Sequence, residues 1–210
     1  MIIVINKEME KNMNNINNTE MCYLKNSDDA YLKWLIGVLG PVVMGSKPAE
    51  IISFPNFNDQ RKKRLSLINE LFTKCRVVNF RIIPNETSAK ILFYNPKSLD
   101  NYLQGYSNKK FLNELGYPDA YDLDVYIDFI SKKLQIGEMP HEIGVFLGYP
   151  LKDIIGFIGH PSLRLTKING WRVYGDPKLS DLRYEEFIGD REYVSELIEI
   201  NGVDEVLYMM

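Results

Sequence analysis

The sharpest chemical signal in this chain is a histidine set directly before a glutamate, His141-Glu142, in the stretch MPHEIGVFLGYPLKD from Met139 to Asp153. An imidazole beside a carboxylate can work as general base and orienter, or the two can join a metal site. The same pair also reads as a capping glutamate beside an exposed histidine, and pattern alone favours that plainer reading. The zinc-protease pattern HExxH fails, because Val145 stands where the second histidine belongs. His160 precedes Pro161 in a loop, and two histidines with scattered carboxylates are a poor ligand set, so no metal site is expected.

Other chemistry is thinly signalled. The sequence has no GxSxG elbow, no GxGxxG and no phosphate loop, and Gly45-Ser46-Lys47 has the residue types of an anion-binding turn without the spacing. Cys22 falls in the leader and Cys75 at a helix-to-strand junction, and both read as inert thiols. Trp171, Tyr174 and Tyr149 can line a pocket for a planar ligand, although their spacing suits core aromatics better. The Leu147–Leu151 corner invites comparison with a DNA-reading helix-turn-helix. Its second helix is read as offering Lys152, Asp153, Gly156 and His160 to solvent, with no arginine to reach guanine, so no nucleic-acid partner is expected. Arg61–Arg64 reads as a solvated helix face.

These residues need elements to hold them. Pro140 suits the first turn of a helix, Glu142 is favoured by the positive end of that helix, and Ile143, Phe146 and Leu147 make its apolar face. Gly148 is placed to end it, and Pro150 to open a second helix buried through Leu151, Ile154, Ile155 and Ile158, with Gly159 closing it. A Leu-Gly-Tyr-Pro corner occurs twice, at Leu115 and at Leu147. Earlier in the chain, helices are expected after Ser27, around Pro41–Met44 and from Asn58 or Asp59 to about Lys74. Ala49–Phe54 reads as a strand. Arg76–Ile83 and Ala89–Tyr94 read as a β-hairpin. Helices follow at Pro96–Leu103, Asn108–Leu115 and Leu123–Leu134. Trp171–Tyr174 is a short strand, Asp176-Pro177 starts a helix reaching about Glu199, and the last residues, VDEVLYMM, read as a strand or a loose end.

Composition sets the outer limits. With 210 residues, 45% of them hydrophobic, one real core is affordable. A net charge of −3 and a pI near 5.5 argue against nucleic acid. No run of about 18 apolar residues predicts a membrane span, and the start, MIIVINKEMEKN, lacks the basic–apolar–small order of a signal peptide. Two cysteines without a CxxC fit a reduced, cytoplasmic protein. Residues 1–20, Asn-rich and polar, are expected to form a disordered or loosely ordered leader, and 21–210 a single α+β domain. That domain would be a small, mostly antiparallel sheet of three to five strands covered by helices, with a helix–Gly-Tyr-Pro–helix corner.

At Pro140–Ile158 (PHEIGVFLGYPLKDIIGFI) and Gly170–Asp176 (GWRVYGD) the chain resembles a bacterial family catalogued as domain of unknown function 3793. The family pattern also includes a Gly-x-Lys-Pro turn, here Gly45-Ser46-Lys47-Pro48, a hairpin, and a Gly-Tyr-Pro corner, here Gly116-Tyr117-Pro118. The order is colinear over most of Leu24–Ile198. The resemblance implies no activity, fold or cofactor. It does imply shared residues: Lys47, His141, Glu142, Tyr149, Trp171, Tyr174 and Asp176. Many members carry cysteines before the Gly-x-Lys-Pro turn and before the Trp-containing strand; here Leu39-Gly40 and Ser162–Asn169 stand in those places without thiols.

Two functions follow. The first is a non-catalytic protein that binds a small ligand or a protein partner near the His141-Glu142 helix start and the Trp171–Asp176 strand end. The rival is a hydrolase or transferase using His141 as base, with Glu142 or Asp176 orienting it. Neither cofactor nor oligomeric state is assigned by these residues.

Overall fold

The structure is a computed structural model that describes residues 28–55, 58–73, 75–84, 88–136 and 139–209. The expected leader over residues 1–20, and Cys22, lie outside the described residues. The fold is α+β, and the chain divides into two compact units, one of Tyr102–Glu186 and the other of the described residues up to Asn101 with those from Phe187 on. Among the described residues no helix is long and apolar enough to cross a membrane.

The second of these units begins with α1 (Asp28–Val38) and the short α2 (Gly40–Met44), followed by β1 (Ala49–Pro55) and α3 (Asn58–Thr73). Next come β2 (Asn79–Pro84), β3 (Ser88–Tyr94) and the start of α4 (Pro96–Gln104). The later part of α9 (Lys178–Asn201) and α10 (Val203–Met209) complete it. The sheet order is β1-β3-β2, antiparallel throughout. Central β3 buries Ala89, Ile91, Leu92, Phe93 and Tyr94, as a strand enclosed on both faces must. The β2–β3 hairpin forms as expected, but β2 starts at Asn79 rather than Arg76. Asn79 already faces Tyr94, the last residue of β3, so Arg76 and Val77 have no strand left to pair with.

Helix α3 buries Ile68 and Phe72 and exposes Lys62 and Lys63. Arg64 departs from the solvated face expected of it: its guanidinium lies 4.6 Å above the Tyr31 ring. The C-terminal residues form α10 rather than a strand or loose end. Gly202 (φ 82°) breaks α9, and Val203, Val206 and Leu207 then bury the i, i+3, i+4 face of a new helix.

The Tyr102–Glu186 unit carries α5 (Tyr106–Glu114), α6 (Leu123–Ile136), α7 (Ile143–Phe146), α8 (Leu151–Ile158), the β4 (Leu165–Asn169) and β5 (Trp171–Tyr174) hairpin, and the first turns of α9. Pro140 does not open a helix. The N–H groups of Ile143, Gly144 and Val145 donate to the carbonyls of Pro140, His141 and Glu142, a run of tight turns that becomes helical only at Ile143. Not one face but the whole of Ile143–Leu147 is buried.

Gly148 (φ 79°) closes α7, with the Tyr149 N–H reaching back to the Gly144 carbonyl at 2.9 Å, and α8 starts directly after Pro150. At Gly116 the next helix waits until Leu123. Helix α8 is rotated from its expected setting: Asp153 and Gly156 are buried, while Ile158 is 49% exposed. Gly156 explains the rotation. Tyr174 lies so close that a Cβ there would sit 2.4 Å from its Cγ, so this helix face was built for contact with the strand. Strand β4 was not foreseen, because its mostly exposed residues carry no apolar alternation; it forms on the partner supplied by β5.

Candidate functional site

Among the described residues, a tightly organised polar group lies where α8, β5 and α9 meet. Asp153 stands in the first turn of α8, where a carboxylate is favoured by the helix dipole, and is 2% exposed. Its Oδ1 accepts from the Lys152 ammonium at 2.6 Å and from the Tyr174 N–H at 2.8 Å. Its Oδ2 accepts from the Trp171 indole N–H at 2.8 Å and the Ser180 hydroxyl at 2.7 Å. The Lys152 ammonium also donates to the Tyr174 carbonyl at 2.9 Å and to Ser180 Oγ at 2.8 Å.

A carboxylate has about four acceptor sites and an ammonium three donors, so both groups are saturated. The Ser180–Lys152 spacing resembles that of a nucleophile and its base, but a lysine acting as base needs a free lone pair. Here all three positions on that nitrogen point at acceptors. What the arrangement does is tie three elements together. Sequence reading turned Asp153 outward and did not single out Ser180. The signal for Asp153 was present in Trp171, since a buried indole N–H requires an acceptor.

The aromatic candidates frame this network. Trp171 is buried and stacks on Tyr149 with ring centres 4.5 Å apart and planes at 17°. The Tyr102 hydroxyl donates to the Tyr149 carbonyl at 2.9 Å, and burial pushes that phenol above its ordinary pKa against the opposing pull of the Arg183 charge and the Asn108 side chain. Tyr174 packs on Gly156 and is held through its backbone by Asp153 and Lys152.

His141 and Glu142 diverge. Glu142 is buried and pairs with Lys133, whose ammonium lies 5.2 Å from the Tyr117 and Phe129 rings. Burial, reinforced by the Glu142 charge, drives the Tyr117 hydroxyl far above the usual phenol range. His141 is exposed, with its ring edge-on to Phe157 at 5.2 Å. The Arg172 guanidinium also lies near Phe157, 5.7 Å from the ring centre. Asp176 is exposed and accepts the Lys178 N–H at 3.0 Å, the cap expected of an Asp-Pro pair before α9.

Lys47 belongs to the other unit. It is 6% exposed, paired with Glu50 at 2.6 Å and set 5.4 Å over the Phe187 ring. The turn that carries it is fastened by Ser98, whose hydroxyl donates to the Gly45 carbonyl at 2.8 Å, and by the Asn95 amide on the Val42 carbonyl at 3.2 Å. Of the seven candidates, then, Tyr149, Trp171 and Tyr174 share one network, His141 lies on the surface beside Phe157, Glu142 turns inward, and Asp176 caps a helix. Among the described residues no group of three or more His, Cys, Asp or Glu is placed to hold a metal ion.

No curated protein and no solved structure matches this chain. The sequence model of the family described as Protein of unknown function (DUF3793) matches residues 35–206, well over half of the chain, and the protein belongs to that family.

Proposed function

We propose that the chain is a cytoplasmic, non-catalytic binding protein, and that its binding face is the surface made by His141, Phe157 and Arg172. The carrying observation is the divergence of His141 from Glu142. A general base is effective when a second group orients it and both address one point. Here the carboxylate is engaged by Lys133 beneath the surface, and the imidazole rests against an aromatic ring. An exposed imidazole and a guanidinium, each against the same half-buried aromatic ring, suit recognition of a planar or anionic group on a small molecule or a protein partner.

Native and denaturing mass spectrometry of the purified chain, with metal analysis on the same sample, tests this reading. A co-purifying mass that is lost in Phe157→Ala or Arg172→Ala, with the fold retained, supports it. Turnover of any substrate that His141→Ala abolishes in a folded protein refutes it and revives the hydrolase or transferase reading.

A further inference from the structure

The unit that does not contain His141 has an opening of its own. A cleft of about 550 Å³ lies among α1, α3 and α10, within the size range of small-molecule sites. Its walls carry four leucines, Leu32, Leu67, Leu71 and Leu207. Leu32, Leu67 and Leu71 are only half-buried, so these three helices leave apolar surface uncovered in the space between them. Three carboxylates, Glu70, Asp204 and Glu205, line the same cleft, and among the described residues no Lys, Arg or His lines it. All three are exposed, and among the described residues none of them forms an ion pair. The half-buried thiol of Cys75 and the Tyr208 side chain also line it.

We propose that this cleft is a binding site for an amphipathic cation: an apolar body that lies on the leucines and a protonated amine that faces the carboxylates. Charge complementarity selects the occupant. An apolar cleft alone would take any hydrophobic body. A fatty carboxylate of the same length would bring its charge against three others, and a neutral body would leave the carboxylates without a counter-charge. Each exposed carboxylate contributes only as much as a surface ion pair, but three acting together favour cation over anion by about tenfold. The preference weakens as salt rises, because these groups face water. This site is separate from the His141–Phe157–Arg172 face, so the failure of one reading leaves the other standing.

The test uses the full chain with Cys22→Ser, which leaves Cys75 as its one thiol. Octylamine and octanoate are titrated by calorimetry, and the rate of Cys75 labelling by a maleimide is followed with each. The expected result is that octylamine binds at least about tenfold more tightly than octanoate and slows labelling. The triple variant Glu70→Gln, Asp204→Asn, Glu205→Gln changes only exposed groups and is expected to fold; in it the two probes should bind alike. Leu71→Trp should fill the cleft and abolish both binding and protection. Equal affinity of the two probes for the unaltered carboxylates, no octylamine binding, or a preference that survives the triple variant would each overturn the proposal.

Discussion

Replacing Asp153 by alanine removes one side chain and strands several. The Trp171 indole N–H, 5% exposed, loses its acceptor, as do the Tyr174 N–H and the Ser180 hydroxyl proton, Ser180 being 1% exposed. A buried donor left without a partner costs about 1–3 kcal/mol. Lys152 keeps the Tyr174 carbonyl and Ser180 Oγ, and its side chain is 25% exposed, so solvent relieves part of its lost pairing. The expected destabilisation is therefore about 3–5 kcal/mol, the range for breaking a buried pair.

At this chain length each kcal/mol moves the melting temperature by about 2–4 °C, so Asp153→Ala should melt roughly 6–20 °C lower. Lys152→Met is the informative comparison. It leaves the carboxylate with three neutral donors and should cost less, about 1–3 kcal/mol. The double variant should cost less than the sum, because the second substitution removes a charge the first has orphaned. Urea unfolding followed by circular dichroism measures all three. An Asp153→Ala loss under about 1 kcal/mol, or a Lys152→Met loss exceeding it, would refute the view that the carboxylate is the centre of the network.

Three further outcomes are checked in the same way. Gly156→Ala should destabilise by about 1–3 kcal/mol by driving a methyl into Tyr174, whereas Gly189→Ala, in the interior of α9 with nothing near its Cβ, should stabilise by about 0.5–1 kcal/mol. Tyr117, raised by burial and by the Glu142 charge, stays neutral in the fold while the unfolded chain ionises near pH 10; its contribution is complete below that pH and lost as pH rises through the folded value, so Tyr117→Phe should flatten the alkaline limb of a stability–pH curve. Asp181, lowered by the hydrogen bond and charge of Lys167, contributes stability above the unfolded carboxylate value of about 3.9 that disappears as pH falls through the folded one; Asp181→Asn should flatten the acid limb, less so in high salt.

The elements legible in the sequence were those whose signals are local. Pro41, Pro96 and Pro150 stand at helix starts, Gly45, Gly148 and Gly159 at helix ends, and the apolar runs RVVNFRII and AKILFY, parted by Pro-Asn-Glu-Thr-Ser, marked a hairpin. What failed depended on distant partners. Strand β4 exists because β5 lies beside it, β2 is trimmed because β3 has ended, and α8 is rotated because Tyr174 needs the space at Gly156. The candidate site divides on the same line. Trp171 and Tyr149 were recognisable as aromatics that would pack. Asp153 looked like half of a surface Lys-Asp pair, because nothing within four residues of it reveals a buried indole and a buried serine waiting for an acceptor.

The placement of Asp153 also bears on the proposed binding face, which it does not touch. Successive residues of a tight-turn run point about 120° apart, which is how His141 faces out while Glu142 faces Lys133. The three residues of the face are thus carried on three different segments: His141 on that run, Phe157 on α8, and Arg172 on β5. Arg172 is flanked on its strand by Val173 and Trp171, and Trp171 and Tyr174 are both fastened to Asp153, itself the third residue of the helix that carries Phe157. The buried carboxylate thereby joins the helix that carries Phe157 to the strand that carries Arg172. Asp153→Ala should loosen that spacing and weaken binding at the face even at temperatures where the chain remains folded, whereas Lys47→Met, in the other unit, should not.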